Sequence, residues 1–337
     1  MRMLVIGGSG FIGKYVVSEL ANRGHEIGVL GRGHASSSAA HMIVGDRNRL
    51  GDSRDAIREF APEVVIDMIT GSGTQARALV DVVGGLVRRT IVLSSMDVYR
   101  AVGVVHGSEP GPLEPLPLTE RSALRTTAQT YPPAQIATLQ AVFGWFDDEY
   151  NKVPVEATVR TLDATVLRLP MVYGPGDRLR RLYPVVKRII DGRRALVFSE
   201  SLAAWRGSRG YVEDVARAIA LAATSDAAIG RTYNIAELDA PSELEWARLV
   251  AARMQWDGEF VVLPDVQTPA HLRRPGNAAQ HWIADSTRIR DELGYAEVVT
   301  RDEAIDRTIA WERETPPGSF MPHAFDYAAE DAALAGR

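Results

Sequence analysis

The chain has 337 residues, 46% hydrophobic and 24% charged, which suffices for a large core in one compact unit of two lobes. A net charge of −5 speaks against a general nucleic-acid binder, and the lack of cysteine excludes disulfides and thiolate metal sites. No apolar run approaches the roughly 18 residues of a membrane span, and the first glycines arrive too early for a signal peptide, so a cytoplasmic location is expected.

MLVI (3–6) reads as a first strand, and Ile12, Val16, Val17 and Leu20 then recur at helical spacing. Between them lies GGSGFIG (7–13), a glycine pattern in the strand–turn–helix context that gives it meaning. Gly7 permits a tight turn, Gly10 lets a pyrophosphate approach the backbone, and Gly13 lets helix pack on strand. With Phe11 and Ile12 these form the candidate dinucleotide site, because a helix start offers free N–H groups and a positive dipole end.

A second strand is expected at EIGVL (26–30). A carboxylate after it would hold the ribose 2′-hydroxyl of NAD, but the run is VLGRGH (29–34). Arg32 suits a 2′-phosphate in forked geometry, which favours NADP, with NAD as the alternative. GHASSS (33–38) offers further hydroxyls for that phosphate or is a plain loop. After a third strand at MIV (42–44), Asp46 in VGDR is positioned to accept from the adenine amino group. Further strands follow at EVVID (63–67) and RTIVLS (89–94), with helices over 52–60 and 74–87, so the order is that of a doubly wound α/β sheet.

Residues 101–135, rich in Pro, Gly, Ser and Thr, read as a long irregular insertion, and Arg125 and Tyr131 make it a candidate lid. Helical spacing resumes at 136–147. EYNKVPVE (149–156) follows, with one of only three lysines in the chain at Lys152. Pro154 is tolerated only in a first helical turn, so a helix should begin around 151–154, with Tyr150 at or before its start.

ATVLRL (164–169) reads as a sixth strand, and GPGD (174–177) leads toward a smaller C-terminal lobe. Arg178, Arg180, Arg181 and Arg188, then Arg206 and Arg209, follow; arginines on one helix suggest a solvated face, and Arg209 is the candidate substrate contact. Helices are expected at 179–191, 212–223, 242–254 and 301–313, and strands near 195–198 and 231–235. The seven histidines show no metal spacing, and His281 in QHW (280–282) reads as packing more readily than as a pocket residue. The division expected is a dinucleotide-binding part over 1–173 rejoined by 210–235, a substrate lobe of 174–209 and 236–323, and a frayed or loosely helical tail from 324.

GGSGFIG, LSSMDVY (93–99), PLTERSALR (117–125), LRLPMVYGPGD (167–177), YVEDVARAIA (211–220) and TYNIAE (232–237) together resemble an extended short-chain dehydrogenase/reductase of the NAD-dependent epimerase/dehydratase superfamily. The resemblance implies a Rossmann-type fold and an oxidoreductase acting on a carbinol/ketone carbon, with sugar nucleotides as the default substrate class. It implies a Ser or Thr, a Tyr, and a Lys four residues after that Tyr; Ser95 takes the first position, and Lys152 the last through its spacing to Glu156. Position 148 is Asp, and the nearest tyrosine is Tyr150. Three readings stay open: Tyr150 is a displaced acid/base beside Lys152; Asp148 or substrate groups move the proton; or the site keeps only its cofactor. The rival classes are a non-catalytic NAD(P)-binding regulatory or RNA-binding protein and a ketone or enone reductase. The resemblance also suggests a homodimer.

Overall fold

The structure is a computed structural model and describes residues 1–33, 40–128, 131, 133–143, 145–274, 276–318 and 324–336. In chain order it runs β1 (Arg2–Ile6), α1 (Phe11–Asn22), β2 (Glu26–Gly31), β3 (Ala40–Val44), α2 (Arg54–Phe60), β4 (Val64–Asp67), α3 (Gly73–Val83), β5 (Arg89–Ser95), α4 (Arg100–His106), α5 (Pro133–Val142) and α6 (Lys152–Val159). There follow β6 (Thr165–Leu169), β7 (Met171–Tyr173), α7 (Tyr183–Ile190), β8 (Ala195–Ser199), α8 (Glu200–Ala204), β9 (Arg209–Tyr211), α9 (Val212–Thr224), β10 (Thr232–Asn234), α10 (Glu243–Arg253), β11 (Glu259–Leu263), α11 (Thr287–Leu293), α12 (Arg301–Glu314) and α13 (Tyr327–Ala335).

Seven strands form one parallel sheet in the order β10-β6-β5-β4-β1-β2-β3. The chain leaves β1 toward one edge and returns from β4 toward the other, the doubly wound arrangement expected. Side chains alternate along each strand, so one face takes Met3, Val5, Val64, Ile66, Ile91 and Leu93, with α1 and α9 over them. The other face takes Leu4, Ile6, Val65 and Val92 and is covered by α2, α3 and α6. Burial on both faces explains why these strands are continuous apolar runs. The strands' carboxyl ends carry Asp67, Ser95 and the turn after β1, which brings distant sequence segments to one edge.

Beyond β6, two short parallel pairs, β7 with β9 and β8 with β11, organise the C-terminal part. The insertion is less irregular than its composition suggests. Ala101–Val105 of α4 are all buried, so the helix has no polar face and its sequence shows no helical period. The tail is also firmer than expected. Glu330 of α13 is fully buried and receives Arg188 at 2.6 Å and His271 at 3.0 Å.

Candidate active site

The glycine turn has the backbone its residues allow. Gly7 sits at φ +83°, and its carbonyl accepts from Gly10 N at 3.0 Å. A Cβ on Gly13 would meet the Gly7 carbonyl oxygen and lie 2.7 Å from the Gly8 Cα, so α1 packs as close to β1 as glycine permits. Gly10 caps α1 without a side-chain hydrogen bond, leaving the first amides, among them those of Phe11 and Ile12, open to an anion. This cradle, which a Cβ would fill, fits a dinucleotide pyrophosphate.

A cavity of about 390 Å³ runs from this turn past Gly31, Arg32, Asp46 and Arg47 to Ser95, Asp97, Tyr150, Lys152 and Arg181. Arg32 is exposed at its outer end, where β2 brings no acid. Asp46 lines the cavity but accepts from Asn48 N at 2.9 Å, capping the short helical turn after β3. The segment proposed to add hydroxyls, from His34 onward, lies outside the described residues, as does His323. Arg47 was not singled out from the sequence. It is buried, donates through Nε to Asp67 Oδ2 at 2.8 Å and through Nη2 to Thr70 Oγ1 at 3.2 Å, and its Nη1 has no partner among the described residues. The only signal for it was its place directly after Asp46.

At the inner end, Ser95 closes β5, and its Oγ accepts from Asp97 N at 3.2 Å. Asn151 caps α6 by accepting from Val153 N at 3.0 Å, so the helix starts where Pro154 said it must. Lys152 is therefore its first residue, and Tyr150 precedes it on irregular backbone.

The expected pairing of these two differs from what is found. The Lys152 ammonium donates to the carbonyls of Thr70 and, at 2.9 Å, Leu93. It lies 5.8 Å from the Tyr150 ring centre, and burial pushes its pKa down to about 8, partly offset by Asp97 and Asp67. The Tyr150 hydroxyl reaches neither Ser95 nor Lys152; it donates to Asp97 Oδ2 at 2.9 Å. A spacing of two explains the separation, since two side chains so placed leave a helix start in different directions. Asp148 is exposed and bound to Gln140 at 2.6 Å, away from the cavity.

Asp97 is the residue the sequence reading missed, although it stands in SSMDVY just past the end of β5. It is 1% exposed and lines the cavity. Tyr131, from the candidate lid, also donates to its Oδ2, at 3.1 Å. Arg125 binds behind, to the Asp97 carbonyl and to Asn151 Oδ1 at 3.1 Å. Burial, then the Asp97 charge, hold both tyrosines well above their ordinary pKa. An aromatic wall continues outward, with Phe146 stacked on Tyr150 at 4.0 Å and Trp145 beside both.

Of these arginines Arg178 and Arg206 are exposed, while the others are half-buried or buried and paired. Arg180 pairs with Glu312, Arg188 with Glu330, and Arg181 with Asp177, while Arg206 donates to the Ala240 carbonyl. Arg209 is buried, binds Glu243 at 2.8 Å, stacks 4.4 Å from the Trp246 ring centre, and is not among the residues lining the cavity. Its Nε and Nη1 have no partner among the described residues, nor has Nε of Arg274, which lies 3.5 Å over Trp205. Burial lowers the Arg274 pKa to about 10 despite Glu243. His281 accepts from Arg206 N at 3.3 Å, outside the cavity lining. Among the described residues no group of three His, Cys, Asp or Glu is placed to hold a metal, and no helix is long and apolar enough to cross a membrane.

A dTDP-glucose 4,6-dehydratase of Streptomyces niveus is 25% identical over 340 residues, covering 93% of each chain. Another of that name from Streptomyces griseus is 32% identical over 155 residues, which is 44% of this chain and 43%, less than half, of the relative. The structure of Thermus thermophilus UDP-glucose 4-epimerase in complex with NAD superposes with a TM-score of 0.63 at 21% identity, covering 94% of this chain and all of that one (100%). The model of the NAD dependent epimerase/dehydratase family matches residues 3–236, across the glycine turn, the sheet and the cavity, and the chain belongs to that family.

Proposed function

We propose that the protein is an NAD(P)-dependent oxidoreductase of the epimerase/dehydratase type, acting on a carbinol or ketone carbon of a nucleotide-linked sugar. The observation that carries this is one continuous cavity joining the phosphate-binding turn at Gly7–Gly13 to the polar group of Ser95, Asp97, Tyr150 and Lys152. The nicotinamide cofactor, when bound, supplies the hydride acceptor or donor. Gly7, Gly10, Phe11, Ile12 and Gly13 would hold its phosphates, and Lys152 would face its inner ribose. Ser95 is placed to hold the reacting oxygen. Arg178 and Arg181 line the same cavity and suit an anionic part of the substrate, whereas Arg209, the candidate from the sequence, is paired with Glu243 and lies outside that lining. Arg32, with no carboxylate at the end of β2, supports NADP over NAD.

The test is mass spectrometry of the nucleotide released on denaturation, a parallel NADPH and NADH titration, and turnover of dTDP-glucose and UDP-glucose. Exchangeable NADPH bound more tightly than NADH supports the Arg32 assignment. Retained NAD overturns it and points to a cycle that regenerates its cofactor. Failure to bind either nucleotide removes the oxidoreductase reading. The aromatic wall of Tyr131, Phe146 and Trp145 favours one second reading, a reductase of an apolar ketone, which steady net consumption of NADPH would distinguish.

A further inference from the structure

We infer that Asp97 is the catalytic group that takes and returns the substrate hydroxyl proton, and that Tyr150 and Tyr131 are positioning residues that aim it. The inference rests on the oxidoreductase reading and assigns its proton step. For Tyr150 to accept a proton it must ionise, which requires a cation at its oxygen. The opposite is found. Its hydroxyl donates to Asp97 Oδ2 at 2.9 Å, and Tyr131 donates to the same oxygen at 3.1 Å. Both bonds require the neutral phenol. The Lys152 ammonium is turned to two backbone carbonyls instead.

The two tyrosines occupy Oδ2 and leave Oδ1. Oδ1 is buried and has no hydrogen-bond partner among the described residues, an arrangement that costs stability unless a ligand completes it. Its residue lines the cavity beside Ser95. Ser95 Oγ accepts from Asp97 N, so its own hydrogen remains available for the substrate oxygen. In the oxidative direction the carbinol O–H bond breaks and an Oδ1–H bond forms. The carbon would give its hydrogen with the bonding pair to an oxidised nicotinamide, when bound, and so become a ketone. In the reductive direction Asp97 returns the proton to the new alkoxide oxygen. The tyrosines fix the carboxylate against rotation, and Arg125 holds its backbone from behind.

The deciding measurement needs no substrate: the near-ultraviolet tyrosinate titration of the full chain, wild type minus Tyr150→Phe. The inference expects no tyrosinate step assigned to Tyr150 up to pH about 10, the ordinary tyrosine value. A Tyr150 step centred at or below about pH 9 overturns it, because such a tyrosine is the activated base. In Asp97→Asn the Tyr150 step should move down in pH; an unmoved step overturns the positioning role. If Asp97→Asn does not fold, the Tyr150→Phe subtraction decides alone. On a substrate that the protein turns over, Asp97→Asn should lose roughly a hundredfold more in kcat than Tyr150→Phe, and the reverse order overturns the inference. NADPH and NADH titrations of the wild type separate the two failures: no nucleotide binding sinks the oxidoreductase reading, whereas binding with a low-pH Tyr150 step sinks only this assignment.

Discussion

Gly13 shows how one hydrogen atom can decide a site. Its missing side chain sets the distance between α1 and β1, and so where the helix amides point. Gly13→Ala should destabilise the protein by about 1–3 kcal/mol and weaken nucleotide binding; urea unfolding and an NADPH titration check both. Lys152 makes a different kind of prediction. Its ammonium is expensive to keep charged in the fold, with a pKa of about 8 against an ordinary 10.5. The unfolded state therefore binds more protons between those values, and stability rises with pH across that window. The stability that Lys152 contributes is fully present above 10.5 and lost as pH falls through about 8. Lys152→Met should flatten this rise, as denaturant midpoints at several pH values would show. The rarity of lysine in the sequence drew attention to this residue. What could not be read was its partner, because hydrogen bonds to the carbonyls of Thr70 and Leu93 arise from sheet ends far away in sequence.

The elements legible in the sequence were those whose pattern follows from local chemistry. The strands β1, β2, β4 and β5 show as apolar runs because both faces of the sheet are covered, whereas the short β7, β9 and β11 did not show, and α6 announced its start through Pro154. Asn151→Ala should cost about 1 kcal/mol by removing the cap, and it should also loosen Arg125, whose guanidinium shares the same amide oxygen; thermal unfolding checks the first. Elements made by tertiary burial were hidden. α4 has no polar face to produce a helical period, and the Tyr131–Asp97–Tyr150 cluster joins three segments that no spacing relates. Glu156 marks another such tie. It pairs with Arg168 at 2.7 Å and accepts from Ser94 Oγ at 2.6 Å, all within the core. Glu156→Ala leaves a buried guanidinium without its carboxylate and should cost about 3–5 kcal/mol, measured by chemical denaturation. Its spacing from Lys152 therefore records a structural need of β6 as well as a motif.

At the scale of the whole molecule, the last helix belongs to the fold. Glu330 brings α13 onto Arg188 of α7 and onto His271, and Arg193–Asp331 reinforces the contact. Glu330→Ala should release α13 while leaving the sheet intact, so limited proteolysis should cut near the C-terminus long before the core. Composition alone made that tail look loose, because short side chains conceal a helix that one buried carboxylate pins. The cavity wall has a practical outcome of another sort. Of six tryptophans, Trp145 alone is among the described residues lining the cavity, against Tyr150 and 5.7 Å from the Lys152 ammonium. Its emission overlaps the absorption band of a reduced nicotinamide, so the protein carries its own optical gauge of occupancy, and energy transfer from Trp145 would time the arrival and departure of the dinucleotide without any label.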